Sequence, residues 1–485
     1  METHSCVRLS DGATDMGQQV EKGIFIHTEG VNHTVSTKRK ALLLSLVLSV
    51  TAILGACSKQ TEQGAAESAA SSSPAAGGGT LTIMAETSSH ADAFKSIIPD
   101  FEAKYGVKVK VVELPYDQYH QQLTLKFTSG SADFDLAYVP IGWVPELQVP
   151  NYIVPISTDQ AELDKLKLDD FPGIENAYFG DKKELYFVPY MNETQGILYR
   201  TDLFNDEKEK AAFKAKYGYD LAPPKTMQQY KEIAEFFNRP DQNLSGVTLM
   251  GEKSILLGFA FYNRLFNYGG DLYDDQYKQQ FDNEAGVKAL NDLKDMFKYT
   301  SAAAKQYGWS DASGEFLQGR SAMAEMATTI AQVAQDPAQS KVVGKVGFSA
   351  IPANDENTKD IKRFYLPYGF VITKDSKLKQ EALEWIEFAT SQEMMEKAAP
   401  VGNIPARTSA LTGTLSSQYS FYAPHAEIMN SFKLKPLPLI PEGSTITGDI
   451  LPSAVSRFLN GEQTAQEALD QAASEYDELM SSRGY

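Results

Sequence analysis

The chain lacks most of what would staple it together or arm it for chemistry. Its 485 residues include only two cysteines, Cys6 and Cys57, too few for a disulfide framework. No G-x-S-x-G, H-E-x-x-H, P-loop or G-x-G-x-x-G occurs, so the local signatures of α/β-hydrolases, zinc proteases, P-loop NTPases and dinucleotide-binding folds are missing. Excess positive charge is missing too. The formal net charge is -18 and no run of Lys and Arg marks the globular part, which argues against nucleic acid as a partner. The one long apolar run, Ala41 to Ala56, has sixteen residues, fewer than the about 20 that span a bilayer.

That run is informative for what surrounds it. Lys38-Arg39-Lys40 ahead of it and Leu54-Gly55-Ala56-Cys57 at its end give a charged n-region, a short h-region and a lipobox-like end. Residues 1–57 therefore read as a signal peptide, with the Cys57 thiol accepting a lipid. A membrane span with a chance cysteine is the alternative, disfavoured by length. Residues 1–37 lie ahead of a normal n-region and point to a misassigned start, with Val31 or Val35 as candidate initiators, or else to a long n-region. Cys6 would be lost on processing, leaving no thiol to pair with Cys57. Residues 58–79, mostly Ser, Ala, Gly and Gln, read as a flexible tether.

The remainder exceeds what one core normally serves, so two domains are expected. Thr80 to Met84 reads as a strand. A helix with Ala91, Phe94, Ile97, Ile98 and Phe101 on one stripe follows, capped by Ser88 or Ser89 and stopped by Gly106. Val107, Val109 and Val111 alternate as a second strand, a helix runs from Gln118 to Thr128, and Asp133 to Ala137 reads as a third strand. This order predicts a parallel doubly wound sheet with its ligand beyond the strand ends. Those ends carry Glu86 to His90, Tyr116 with Asp117, and Tyr138 to Trp143. Trp143 is a stacking candidate or a packing tryptophan, and Tyr138 a cleft or core ring. His90 and His120 lie on separate segments and read as surface or capping residues, so no metal or cofactor is expected.

Leu185 to Phe204 carries a polar knot, Asn192-Glu193-Thr194, between strand-like halves, which suits a crossing between lobes. Tyr186-Phe-Val-Pro-Tyr190 and Leu198-Tyr-Arg-Thr-Asp-Leu-Phe204 resemble the crossover segment of family 1 extracellular solute-binding proteins, the sugar-capturing subunits of ABC importers. Pro223-Pro-Lys-Thr226 opening a helix, Tyr268-Gly-Gly-Asp271, Phe316-Leu-Gln-Gly319 leading to Ala322-Met-Ala-Glu-Met326, and Gly402-Asn-Ile-Pro-Ala-Arg407 resemble further motifs of that family, in its order.

The resemblance implies a two-lobe, periplasmic-binding-protein-like (type II) α/β fold with a cleft between the lobes. Residues 80–192 plus 344–398 would form the first lobe, and 193–343 plus 399–485 the second. It implies that Glu325, Met326 and Thr329 face the ligand, and that Tyr368 and Gly369 lie at the cleft. Trp143, Tyr138 and Tyr368 would stack on a sugar, Glu193, Asn192, Glu86 and Arg264 would hydrogen-bond it, and Tyr190 and Trp309 would complete the lining.

The expected function is a lipid-anchored, monomeric receptor that hands a carbohydrate (sugar, polyol or oligosaccharide) to ABC permease subunits, with no catalytic residue. A secreted glycoside hydrolase, whose two carboxylates leave no local motif, and a surface scaffold are the alternatives.

Overall fold

The computed structural model describes residues 79–354 and 361–484; the stretches expected to be a signal peptide and a tether, with Cys57, lie outside the described residues up to residue 78. The first lobe opens with β1 (Thr80–Glu86), α1 (Ser89–Ser96), α2 (Ile98–Tyr105), β2 (Lys108–Leu114), α3 (Tyr116–Thr128) and β3 (Leu136–Pro140). Ser88 caps α1 by accepting the Ala91 N–H at 3.2 Å, and Gly106, at φ 71°, closes α2. The single helix expected here is two. Pro99 has no N–H to continue the ladder and so restarts the helix in its first turn. The stripe survives the break, with Ala91, Phe94, Ile97 and Phe101 fully buried.

β1 lies parallel between β2 and β3, as the strand, helix, strand order requires. Downstream come β4 (Val188–Arg200), α4 (Met227–Phe237), β5 (Ser245–Thr248), α5 (Ile255–Asn267), β6 (Ser321–Ala327), α6 (Thr329–Val333), β7 (Val346–Ala350), β8 (Lys362–Thr373), α7 (Lys379–Ala389), α8 (Gln392–Gly402) and α9 (Tyr422–Ser431). One sheet path runs β2-β1-β3-β8-β4-β6-β5, with β7 added to the second half of β4. The long strands β4 and β8 are antiparallel to each other and pass through both lobes.

The polar knot does not interrupt its strand. Glu193 pairs with Leu366 of β8, and the Asn192 N–H donates to the Ile404 carbonyl at 3.2 Å, so the backbone stays satisfied on both sides. The irregularity lies just before it: Tyr368 faces Met191 and Gly369 faces Pro189, leaving Tyr190 as the extra residue of a β-bulge. Leu185 belongs to a separate hairpin with Tyr178 and Phe179.

Both expected lobe boundaries after the crossover shift. β7 pairs with Gly196 to Arg200, and Phe364 stacks on Phe259 at 4.3 Å in the second-lobe core, so the return to the first lobe happens within β8 rather than at 344. Past 399, Arg407 donates to the carbonyls of Leu166 (2.5 Å) and Lys167 (3.1 Å) and pairs with Asp170, which keeps this stretch with the first lobe. The first-lobe core gathers Phe94, Phe101 and Phe370 around Trp385 of α7, all fully buried. Each such phenylalanine contributes about 1.5–3 kcal/mol by leaving water.

Candidate functional site

Five elements deliver side chains to one place. Glu86 ends β1, and His90 lies in the first turn of α1 with its Nδ1 3.6 Å from Glu86 Oε1. Tyr138 comes from β3 and Tyr368 from β8; their ring centroids are 5.9 Å apart, and the His90 ring is 6.4 Å from the first and 5.5 Å from the second. Tyr190, turned by the bulge on β4, places its ring 6.2 Å from that of Tyr138. Glu193 projects from the same face as Tyr368, because its partner Leu366 is two positions away.

The polar atoms of this group are largely unanswered. Glu86 Oε2, His90 Nδ1 and the hydroxyls of Tyr138 and Tyr190 are buried without a hydrogen-bond partner among the described residues. Each such atom costs about 1–3 kcal/mol, so several meeting in one cluster concentrate unmet hydrogen-bonding capacity there. Burial pushes both hydroxyls well above the ordinary tyrosine range, with nearby Glu86 adding to the effect at Tyr138, so both remain donors.

Glu193 joins the lobes. Its carboxylate accepts the Thr329 N–H at 3.3 Å and the Thr329 hydroxyl, at the start of α6. Burial raises its pKa, while the Thr329 hydrogen bonds and the neighbouring His90 pull the other way.

Behind Glu193 the return segment runs along β4. Asn403 donates from Nδ2 to the Tyr190 carbonyl at 3.4 Å and accepts the Tyr422 hydroxyl on its own carbonyl at 3.2 Å. Its Oδ1, like that of Asn192, is buried without a partner among the described residues. Asn192 otherwise reaches the Ala406 carbonyl at 3.5 Å, and therefore ties down the crossing. His425 of α9 contacts the Thr328 hydroxyl at 2.9 Å, and burial lowers its pKa to about 3.

Several expected residues are placed elsewhere. Arg264 is fully buried in the second lobe, where it grips Glu325 through Nη1 (2.7 Å) and Nη2 (2.8 Å) and reaches Asp292 through Nε (3.0 Å). This pair occupies the sheet face covered by α4 and α5, so neither residue is free to meet a ligand. Met326, on the opposite face of β6, is fully buried in the core. Of the residues expected beyond that strand, only Thr329 reaches the cluster. Trp309 opens a helix rather than lying in a loop, stands 36% exposed, and is not among the rings that meet there. Trp143 is half-buried against His120 (4.4 Å) and Tyr119 (5.7 Å), neither of whose rings meets that of Tyr138. His120 is paired with Glu146 at 2.8 Å. Gly369 is a place of close backbone approach, since a Cβ would strike the Val188 carbonyl. His90, by contrast, joins the cluster although its sequence pattern reads as a surface or capping residue, and Asn403 ties the return segment to the Tyr190 backbone beside it. The spacing of Glu86 and His90 at a predicted strand end was the available signal.

No group of three or more metal-ligating side chains occurs among the described residues, and none of their helices is long and apolar enough to cross a membrane.

Against known proteins, residues 87–396 match the family model described as bacterial extracellular solute-binding protein. A mannitol-binding protein of Pseudomonas aeruginosa is 26% identical over 432 residues, covering 84% of this chain and 95% of that protein. A probable amino-acid ABC transporter periplasmic-binding protein of Sinorhizobium fredii is 24% identical over 364 residues, 73% and 78% of the two chains. Among solved structures, an ABC transporter solute-binding protein from Agrobacterium radiobacter K84, in complex with ribitol, superposes with a TM-score of 0.70. It is 24% identical, and the match covers 83% of this chain and 99% of that one. The fold is thus the type II periplasmic-binding-protein fold, and the chain belongs to the bacterial extracellular solute-binding protein family.

Proposed function

We propose that this protein is the extracytoplasmic receptor of an ABC importer and that it binds a polyol or small sugar at the cluster of Glu86, His90, Tyr138, Tyr190, Glu193 and Tyr368. The carrying observation is the set of buried polar atoms there without partners, mixing carboxylate acceptors with tyrosine hydroxyls. A polyhydroxyl ligand both donates and accepts along its length and answers such a set, while the rings take its C–H faces. The mannitol-binding relative supports the same class. An amino acid, suggested by the name of the Sinorhizobium relative, would bring an α-carboxylate, and these six residues include no Lys or Arg to meet it.

In this reading β4 and β8 are the hinge, and closure of the lobes brings Thr329 onto Glu193. Cys57 would carry the lipid, residues 58–79 would tether the receptor at the membrane, and permease subunits would receive the ligand from a monomeric receptor. Replacing Cys57 by Ser should move the protein from the membrane fraction to the soluble one.

The deciding experiment is a thermal-shift screen of the full chain against mannitol, ribitol, hexoses, oligosaccharides and amino acids. Ligand at about 100 times its Kd should add about 2.7 kcal/mol of stability. A response to amino acids alone would overturn the polyol assignment, and sustained release of reducing sugar from an oligosaccharide would overturn the receptor reading.

A further inference from the structure

The buried arginines of this protein are not treated alike. Arg264 has Glu325 and Asp292, and Arg407 has Asp170. Arg363, near the start of β8 and 1% exposed, has no carboxylate among the described residues. Its Nη1 donates to Asn267 Oδ1 (2.7 Å) and the Lys362 carbonyl (3.2 Å), and its Nη2 donates to the Ile351 carbonyl (2.7 Å). Its guanidinium carbon lies 4.6 Å from the centroid of the Phe432 ring. All these acceptors are neutral. Of the five protons of a guanidinium, the one on Nε is buried without a partner, and the two on Nη2 have one acceptor among the described residues. Burial pulls this cation down to about 10, the direction expected where no counter-charge offsets desolvation.

Arg363 lines a cavity of about 480 Å³, together with Pro224, Phe348, Ser349 and Phe432. The Ser349 hydroxyl is also buried and unpartnered among the described residues. The two residues that carry these unanswered groups therefore line one space whose other walls are largely apolar. None of the six residues assigned to the polyol cluster lines it. Lys225 and Glu427 are exposed at the same cavity with opposite charges, so the charge of Arg363 is the one left to be answered.

We propose that this cavity is a second binding site, for a small organic monocarboxylate. The carboxylate would lie side-on along the Nε and Nη2 edge of Arg363 and accept the Ser349 hydroxyl, with its hydrocarbon part between Phe348 and Phe432. A planar carboxylate matches the two parallel N–H bonds of that edge, and an apolar remainder matches the walls.

The test is thermal-shift titration of the full chain with sodium acetate and sodium benzoate at fixed ionic strength, sodium chloride being the control. Both carboxylates should raise Tm saturably above chloride. Ser349→Ala should raise the half-saturating concentration roughly tenfold, the loss of one hydrogen bond to a charged acceptor. Arg363→Met should abolish the response; if that variant does not fold, Ser349→Ala decides alone. No rise above chloride, or a response unchanged in Ser349→Ala, overturns the site.

Discussion

Glu193, on the strand common to both lobes, and Thr329, at the first turn of α6, are joined twice: the threonine N–H donates to one carboxylate oxygen and its hydroxyl to the other. The carboxylate is thereby oriented from the second lobe while standing in the crossing. Replacing Glu193 by Ala should weaken mannitol binding by about tenfold or more, the worth of hydrogen bonds to a charged acceptor. Calorimetric titration checks this, and unchanged affinity would remove Glu193 from the site.

Tyr138→Phe and Tyr190→Phe separate binding from folding. Each deletes a buried hydroxyl that has no partner among the described residues, so the ligand-free protein should keep or slightly gain stability. Affinity for a polyol should fall by roughly threefold to tenfold per hydroxyl. A drop in ligand-free Tm with affinity intact would show that these hydroxyls serve the fold.

Arg264 and Glu325 should behave in the opposite way. Breaking this buried pair with Glu325→Gln leaves a guanidinium short of a partner and should cost about 3–5 kcal/mol in denaturant unfolding. Ligand affinity, measured where the variant is folded, should be unchanged because the pair faces away from the cluster.

His425 predicts acid sensitivity. Its folded pKa is held down at about 3 by burial, so the unfolded chain takes up its proton first as pH falls. The stability contribution is full above the unfolded value of about 6.5 and is lost as pH drops toward 3, reaching about 2 kcal/mol by pH 5. His425→Gln should flatten the stability profile between pH 6.5 and 5; an unaltered profile would rule out this histidine as the cause.

The parts of the fold set by local chemistry were legible. The strand, helix, strand order, the Ser88 cap, the Gly106 stop and the helix opened by Thr226 all follow from neighbours in sequence. The split was legible in principle from Pro99 itself, but the apolar stripe continues across it and hides the break. What could not be read is which polar residue finds a partner far away. Arg264 looked available because Glu325 is distant in sequence, and β6 brings it to a bidentate grip. His90 looked like a surface residue because nothing local shows that Tyr138 of β3 and Tyr368 of β8 bring their rings against it.

The sheet order also sets a timetable for synthesis. β3 finds its second neighbour only in β8, and the first half of β4 pairs with that same strand. A chain released before residue 362 would hold two half-lobes with facing open edges, the condition under which strands pair with other chains instead. The protein is thus committed to late closure: most of its length must emerge before its middle can form, and truncation from the C-terminal side should yield insoluble fragments rather than a smaller folded lobe.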